Sequence, residues 1–388
     1  MIAEQRLRVV YLSHVARLSG AEIALVRLLG AAGSEVDATV ILAEDGEIVE
    51  PLRAAGASVE VMPMAEHARG LKREELRFGP SRARPAAEVG RYTHRLRRRL
   101  QELRPDLVQT NSLKASVYGL VAARLARVPV LWHLHDRLAP DYLPPRIVPA
   151  MRLLAATAPT ALVAPSRFTL ETVGRRFRRG MTVAAVPNAI PFPERPVELR
   201  DQVKTVAMVG RLTWWKGQHV FLEAFAAAFP DGPVRARLVG SALFGEESYE
   251  SGLVEQAKRL GIEERVEFAG FSEDVATEFE RADLLVHASV LADPLNTVVL
   301  EGMAAGLPVI ATDAGGHTEY ARDGREALLH RAGDPGDLAR VLRRAASDAG
   351  LRHRIASGAR ERARGLTPEA VAQRMVALYR GMLSHSSG

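Results

Sequence analysis

At 388 residues the chain is too long for one ordinary domain and is sized for two of roughly 150–200 residues each. Hydrophobic residues at 47% and charged ones at 25% give the balance of a globular protein rather than a disordered or membrane-spanning one. No apolar run approaches the ~18 residues of a spanning helix, and the lack of cysteine excludes disulfides, thiolate nucleophiles and zinc–sulfur sites. The expected location is cytoplasmic, with room for peripheral contact at the inner face of a membrane.

Taken in chain order, LRVVYLS (7–13) reads as a first strand, and SGAEIALVRLL (19–29) as a loop opening into a helix. Gly20 ends that loop, where a missing side chain lets backbone approach a phosphate or an acceptor, while Glu22 reads as a helix-start charge. DATVILA (37–43) and SVEVMPM (58–64) are the next strands. Residues 69–104 then carry 12 basic and 4 acidic side chains, most of the excess in a first half (1–200) with 30 Lys+Arg against 20 Asp+Glu. Such a basic edge reads as a solvated helix face with a loop, or as a contact for an anionic acceptor or acidic membrane surface through Arg91, Arg95, Arg98 and Arg99. Little aromatic interleaving and no binding motif exclude nucleic acid as a partner.

DLVQTN (106–111), PVLWHLH (129–135), TALVAPS (160–166) and MTVAAVP (181–187) continue the alternation of short β-branched runs and helical stretches. The proline-rich PNAIPFPERPVELR (187–200) interrupts it. A second series follows: TVAMVG (205–210), ARLVG (236–240), RVEFAG (265–270), DLLVHAS (283–289), PVIAT (308–312) and ALLH (327–330). The expected class is α/β: a first domain over 1–190, a linker over 191–202, a second domain over 203–365, and a C-terminal helix and tail over 366–388. Each domain is a doubly wound parallel sheet of Rossmann type, the two are expected to face across a cleft, and ligands of such sheets bind at the carboxyl ends of the strands.

At those ends TVAMVG runs into RLTWWKG, so Gly210 permits close approach while Arg211 and Lys216 reach toward a ligand. Two cations there suit a diphosphate, at roughly 1.5–3 kcal/mol per charged hydrogen bond. A surface turn explains the same residues. Further on, Pro294 disfavours helical geometry at Asp293, Asn296 is a good N-cap, and TVVLEGMAA (297–305) has the spacing of a buried helix. Amides near Asn296, Thr297 and Val298 would then head an anion site, strengthened by ~0.3–1 kcal/mol from the helix dipole. Asp293 in the loop and Glu301 on the second turn would flank it, one holding a ribose diol and the other a sugar diol, the shape of a nucleotide sugar. On spacing alone, Asp293 as a turn former and Glu301 as half of an ion pair stays open. Gly315 and Gly316 allow close approach, though a turn alone also asks for glycine.

VGRLTWWKGQHVFLEAF (209–225) followed by DPLNTVVLEGMAAGLPVIATDAGGHTEY (293–320) resembles the C-terminal half of glycosyltransferase family 4. SGAEIALVRLL, VPVLWHLHD (128–136), LVAPSRF (162–168) and VPNAI (186–190) resemble the segments of its N-terminal half, in order, so the likeness covers most of the chain outside 66–100. It implies a GT-B fold and retaining, metal-independent transfer of a hexose-type sugar from a nucleotide diphosphate sugar, uridine favoured over guanosine, with no cofactor. The acceptor would be a hydroxyl of a glycan, a lipid-linked glycan or a small molecule, in bacterial-type polysaccharide or natural-product biosynthesis. By motif, Arg211 and Lys216 would bind the diphosphate, Glu301 the ribose, and His135 would sit near the donor sugar with Asp136 beside it. Glu319 matches a further acid of the pattern. Asp293 takes the place of the first acid of the family's E-x7-E pair, and DPLN stands where the family usually has EPFG. A nucleotide-sugar epimerase of the same fold, or a non-catalytic nucleotide-sugar-binding partner, are the alternatives.

Overall fold

The structure, a computed structural model, describes residues 6–66, 83–242 and 245–385. The part of the basic stretch over 67–82 lies outside the described residues. The chain divides into two compact units, the first made of Met1–Ala189 with Pro368–Gly388, the second of Ile190–Thr367.

The first unit holds β1 (Leu7–Ser13), β2 (Val36–Leu42), β3 (Ser58–Val61), β4 (Leu107–Thr110), β5 (Val130–His133), β6 (Ala161–Ala164) and β7 (Thr182–Ala185), in the parallel order β3-β2-β1-β4-β5-β6-β7. Strand alternation divides the core in two. Val9, Tyr11, Val40 and Leu131 pack on one face against Leu25 and Leu29 of the helix Gly20–Ala32 and against Val371, Met375 and Tyr379 of the helix Pro368–His385. Val10, Leu12, Val108 and Trp132 face the other way, onto Leu96 of the helix Ala83–Leu103 and Tyr118 of the helix Leu113–Ala126. Burial on both faces is why these strands read as continuous apolar runs.

The second unit repeats the plan with β8 (Thr205–Val209), β9 (Arg235–Val239), β10 (Val266–Gly270), β11 (Leu284–Val286), β12 (Val309–Thr312) and β13 (Leu328–His330), ordered β10-β9-β8-β11-β12-β13. Phe221 and Phe225 of the helix Gln218–Ala228 cover Met208, Leu238 and Val286. Leu300 and Met303 of the helix Thr297–Ala305 cover Ala207, Leu285 and Val309 on the reverse.

Every run read as a strand is one, and the α/β, doubly wound class holds in both units. The strand order reverses between β1 and β4 in one sheet and between β8 and β11 in the other. Crossovers leave in opposite directions there, opening a crevice at the carboxyl ends within each unit. Among the described residues no helix is long and apolar enough to cross a membrane.

Candidate functional site

In the second unit the loops after β8, β11 and β12 converge, because these strands are neighbours in the sheet. Gly210 follows β8 at φ +149, a conformation L side chains rarely adopt, and a Cβ there would meet open space. Arg211 follows, 3.7 Å from the Glu246 carboxylate and with its guanidinium 5.8 Å from the Trp215 ring centroid. The short turn Trp214–Lys216 is ended by Gly217 at φ +81, where a Cβ would lie 2.0 Å from the Ala288 carbonyl oxygen. That close contact ties the turn to the chain leaving β11. Lys216 Nζ is thereby placed 2.9 Å from Asp293 Oδ1 and 4.3 Å from the face of Trp215.

Asp293 is only 4% exposed. Its Oδ2 accepts from His287 Nε2 at 2.9 Å, Ser289 Oγ at 2.9 Å and Asn296 Nδ2 at 3.2 Å. Burial pushes the carboxyl up, but the Lys216 ammonium, with the His287 hydrogen bond, overrides it and holds Asp293 well below the usual carboxylate range. Asn296 is the N-cap of the helix Thr297–Ala305, its Oδ1 accepting from the Val299 amide at 3.2 Å. Thr297 and Val298, half-exposed, put the two preceding amides at the helix head. Glu301 lies one turn on, buried at 7% exposure.

The loop after β12 closes on the same aspartate. Gly316 N–H donates to the Asp293 carbonyl at 3.0 Å, and Gly315, at φ +119, would put a Cβ 2.9 Å from that oxygen. His317 Nε2 donates to the Thr312 carbonyl at 2.8 Å, and burial drives its imidazole down to about 3, so the ring is neutral. Its ring centroid is 4.7 Å from that of His287. Glu319 ends the short helical turn Gly316–Glu319, half-buried.

In the first unit the loops after β1, β4 and β5, also sheet neighbours, carry the remaining candidates. Gly20 opens its helix, and a Cβ there would meet nothing within 4 Å. The fold therefore does not demand a glycine at this position. Glu22, more than a helix-start charge, is buried at 3% exposure against the hydroxyls of Ser13 and Ser19, and burial raises its carboxyl. Asn111 Nδ2 donates to the Ala21 carbonyl at 3.3 Å, so its Oδ1 faces the imidazole of His135 and accepts from Nε2 at 3.1 Å. His135 is thus held in the Nε2–H tautomer with Nδ1 as its acceptor, and burial pushes it down to about 4. Asp136 accepts from the Tyr142 hydroxyl at 3.0 Å. His133, beside His135 at 4.0 Å between ring centroids, is buried on Gln109, which in turn accepts from the Tyr379 hydroxyl at 2.6 Å.

Contacts thus bring Lys216, Asp293, Asn296, Gly315 and Gly316 together, with Arg211 joined through Trp215. Gly20, His135 and Asp136 belong to the other unit. Sequence reasoning missed His287, Ser289 and His317; the histidine and serine ending DLLVHAS, directly before the acid, were the available signal. On the basic edge, Arg91 pairs with Glu88 and Arg99 with Glu60 and Glu102, Arg95 donates to the Pro63 carbonyl, and Arg98 is exposed.

The chain matches the family model of glycosyl transferases group 1 over residues 192–362 and that of the glycosyl transferase 4-like domain over 23–189. It is 32% identical over 240 residues to an exopolysaccharide phosphotransferase of Streptomyces coelicolor, covering 60% of this chain and 24% of that protein. To a D-inositol 3-phosphate glycosyltransferase of Corynebacterium urealyticum it is 32% identical over 184 residues, 46% of this chain and 43% of the relative. The chain therefore spans less than half the length of these two curated relatives. Among solved structures, HepE of Anabaena in complex with UDP-glucose superposes with a TM-score of 0.81 at 26% identity, covering 97% of this chain and 100% of that one. With both halves matched in order and both sheets of the expected type, the chain belongs to the family-4-like glycosyltransferases of the GT-B fold.

Proposed function

We propose that the protein is a retaining, metal-independent glycosyltransferase that moves a hexose-type sugar from a uridine diphosphate sugar to an acceptor hydroxyl. The observation that carries this reading is the convergence of Lys216, the head of the helix Thr297–Ala305 and the Gly315–Gly316 turn at the carboxyl ends of β8, β11 and β12. A cation, helix amides and glycine backbone together make a diphosphate seat. HepE, a relative over its whole length, was solved with UDP-glucose, which supports uridine as the donor base.

In this reading Arg211 and Lys216 hold the diphosphate, and Glu301 takes the ribose hydroxyls. Gly210, Gly315 and Gly316 admit the phosphates close to the backbone. In the first unit, neutral His135 has Nδ1 as an acceptor suited to a sugar hydroxyl, with Asp136 beside it, and Gly20 leaves room at its helix head for a phosphate or an acceptor. The bond from the anomeric carbon to the phosphate oxygen breaks, leaving an oxocarbenium-like centre and UDP. The acceptor hydroxyl attacks on the face the phosphate leaves, and its proton passes to the departing phosphate oxygen. Arg211, Lys216 and the amides of Thr297 and Val298 stabilise the charge that grows on that oxygen, the contribution that is usually largest in such sites. Two fixed side-chain cations take the place a metal fills elsewhere.

The acceptor is proposed to be an anionic or lipid-linked glycan, from the basic edge of the first unit, with loose peripheral contact at an anionic membrane. The test is incubation with UDP-glucose, UDP-galactose and UDP-N-acetylglucosamine, with and without chelator, in the presence of a bacterial lipid extract. Glycoside product with the donor's anomeric configuration, undiminished by chelator, is expected. Interconversion of the donor sugars without any glycoside would assign an epimerase instead, and inversion or chelator sensitivity would overturn the mechanism.

A further inference from the structure

Asp293 is buried and already accepts from four side-chain donors. Lys216 Nζ occupies Oδ1 at 2.9 Å, and three donors occupy Oδ2. Each donor is itself held. The ionised Asp293 carboxylate can only accept, so His287 Nε2 carries the proton given to it, and Thr312 Oγ1 stands 3.3 Å from Nδ1. Asn296 is fixed through its Oδ1 to the Val299 amide. Ser289 is buried, and the Asp293 backbone is clamped by Gly316 N–H and by the close approach of Gly315. Lys216, by contrast, has Asp293 as its ion-pair partner, lies against Trp215, and keeps part of its side chain exposed.

We infer that Asp293 is a positioning residue that aims the Lys216 ammonium, and that it does not read the donor sugar. Asn296 is its coupled partner. Aspartate is one methylene shorter than the glutamate of the usual pattern, which draws the carboxylate back to the loop wall. There an asparagine, standing where the pattern has glycine, supplies an Nδ2–H donor that glycine lacks. The two departures in DPLN are then one change: a retracted acid and the side chain that holds it. His287 completes the cradle from beneath, as a neutral Nε2–H donor. A lysine stem with four rotatable bonds gains fixed aim from this anchor, which a helix head alone does not provide.

The inference rests on Lys216 as a diphosphate ligand, and the test separates the two claims. Affinities for UDP and for UDP-glucose are measured by titration on the full chain, after thermal unfolding confirms that each variant is folded. Asp293→Asn should weaken UDP and UDP-glucose alike, by at least tenfold, and Asp293→Asn in a Lys216→Ala background should weaken neither further. His287→Gln, which keeps a donor near the Nε2 position, should retain most of the affinity that His287→Phe loses. Asp293→Glu should lose affinity alone and regain most of it when combined with Asn296→Gly. If Asp293→Asn fails to fold, Ser289→Ala and Asn296→Ala, each removing one hydrogen bond to Asp293, carry the comparison with smaller but equal losses for both ligands. Unchanged UDP affinity with loss confined to UDP-glucose would overturn the inference and return Asp293 to the sugar. Wild-type binding to ADP, GDP or dTDP in place of UDP would refute the uridine donor, and the same comparison with that diphosphate would still decide the role of Asp293. Binding to none of the four would overturn both.

Discussion

Arg211 and Lys216 stand five positions apart, one in the loop just past a strand and the other at the end of a tight turn, yet both lie against the Trp215 ring. If they share a diphosphate, Lys216→Ala and Arg211→Ala should each cost about 1.5–3 kcal/mol of donor affinity, roughly 10- to 100-fold, as read by UDP titration. Glu301→Ala should instead weaken uridine as well as UDP, by about tenfold, because its proposed contact is to ribose; a loss confined to phosphate-bearing ligands would contradict that role. At this scale the sequence was readable where chemistry and local geometry coincide. Asn296 before an apolar run is an N-cap by its side-chain oxygen alone, and that is where it sits. His287 was not readable, because a histidine at a strand end looks the same whether it fills the core or props an acid. Its partners, Asp293 and Thr312, come from loop and neighbouring strand, and only the fold brings them together.

Glycines separate the loops that the fold requires from those it merely permits. Gly315 is held at φ +119 with a hypothetical Cβ 2.9 Å from the Asp293 carbonyl oxygen, whereas Gly20 has ordinary helical geometry and empty space around it. Gly315→Ala should therefore lower the unfolding midpoint and cost more than the ~1 kcal/mol typical of a helical glycine exchange. Gly20→Ala should leave that midpoint unchanged or slightly raised and reduce donor turnover several-fold. Destabilisation by Gly20→Ala without loss of turnover would show that the helix head serves packing only. The strands were legible in the sequence because burial on both faces makes each a run of apolar, mostly β-branched residues bounded by turn formers. The final helix was legible as a helix but not in its allegiance. An apolar stripe of Val371, Met375, Tyr379 and Met382 states that a core exists, and nothing in it says that the core is that of the first unit.

Across the whole molecule, buried neutral histidines set the acid limit. Burial lowers His133, His135, His287 and His317, with His135 near about 4 and His317 near about 3. In the unfolded chain each takes up a proton near 6.5. The folded state binds fewer protons in this window, so stability is fully present above about pH 6.5 and drains away as pH falls toward those lowered values. Asp293, also lowered, adds a further loss below its unfolded value, while Glu22, raised by burial, works in the opposite sense as a single group. The unfolding midpoint should accordingly fall between pH 7 and pH 5; a flat or rising profile would contradict the buried neutral assignments. The uneven charge, with 30 Lys+Arg against 20 Asp+Glu in residues 1–200, was visible in the sequence, but the ion pairs of Arg91 and Arg99 that temper it were not. Donor recognition can be tested without knowing the acceptor, by thermal unfolding against a panel of nucleoside diphosphates and their sugars. A ligand at 100 times its dissociation constant adds ~2.7 kcal/mol. A larger rise in midpoint with a uridine diphosphate sugar than with UDP, and little with uridine, is the predicted result; no rise with any nucleotide sugar in a folded sample would contradict the account.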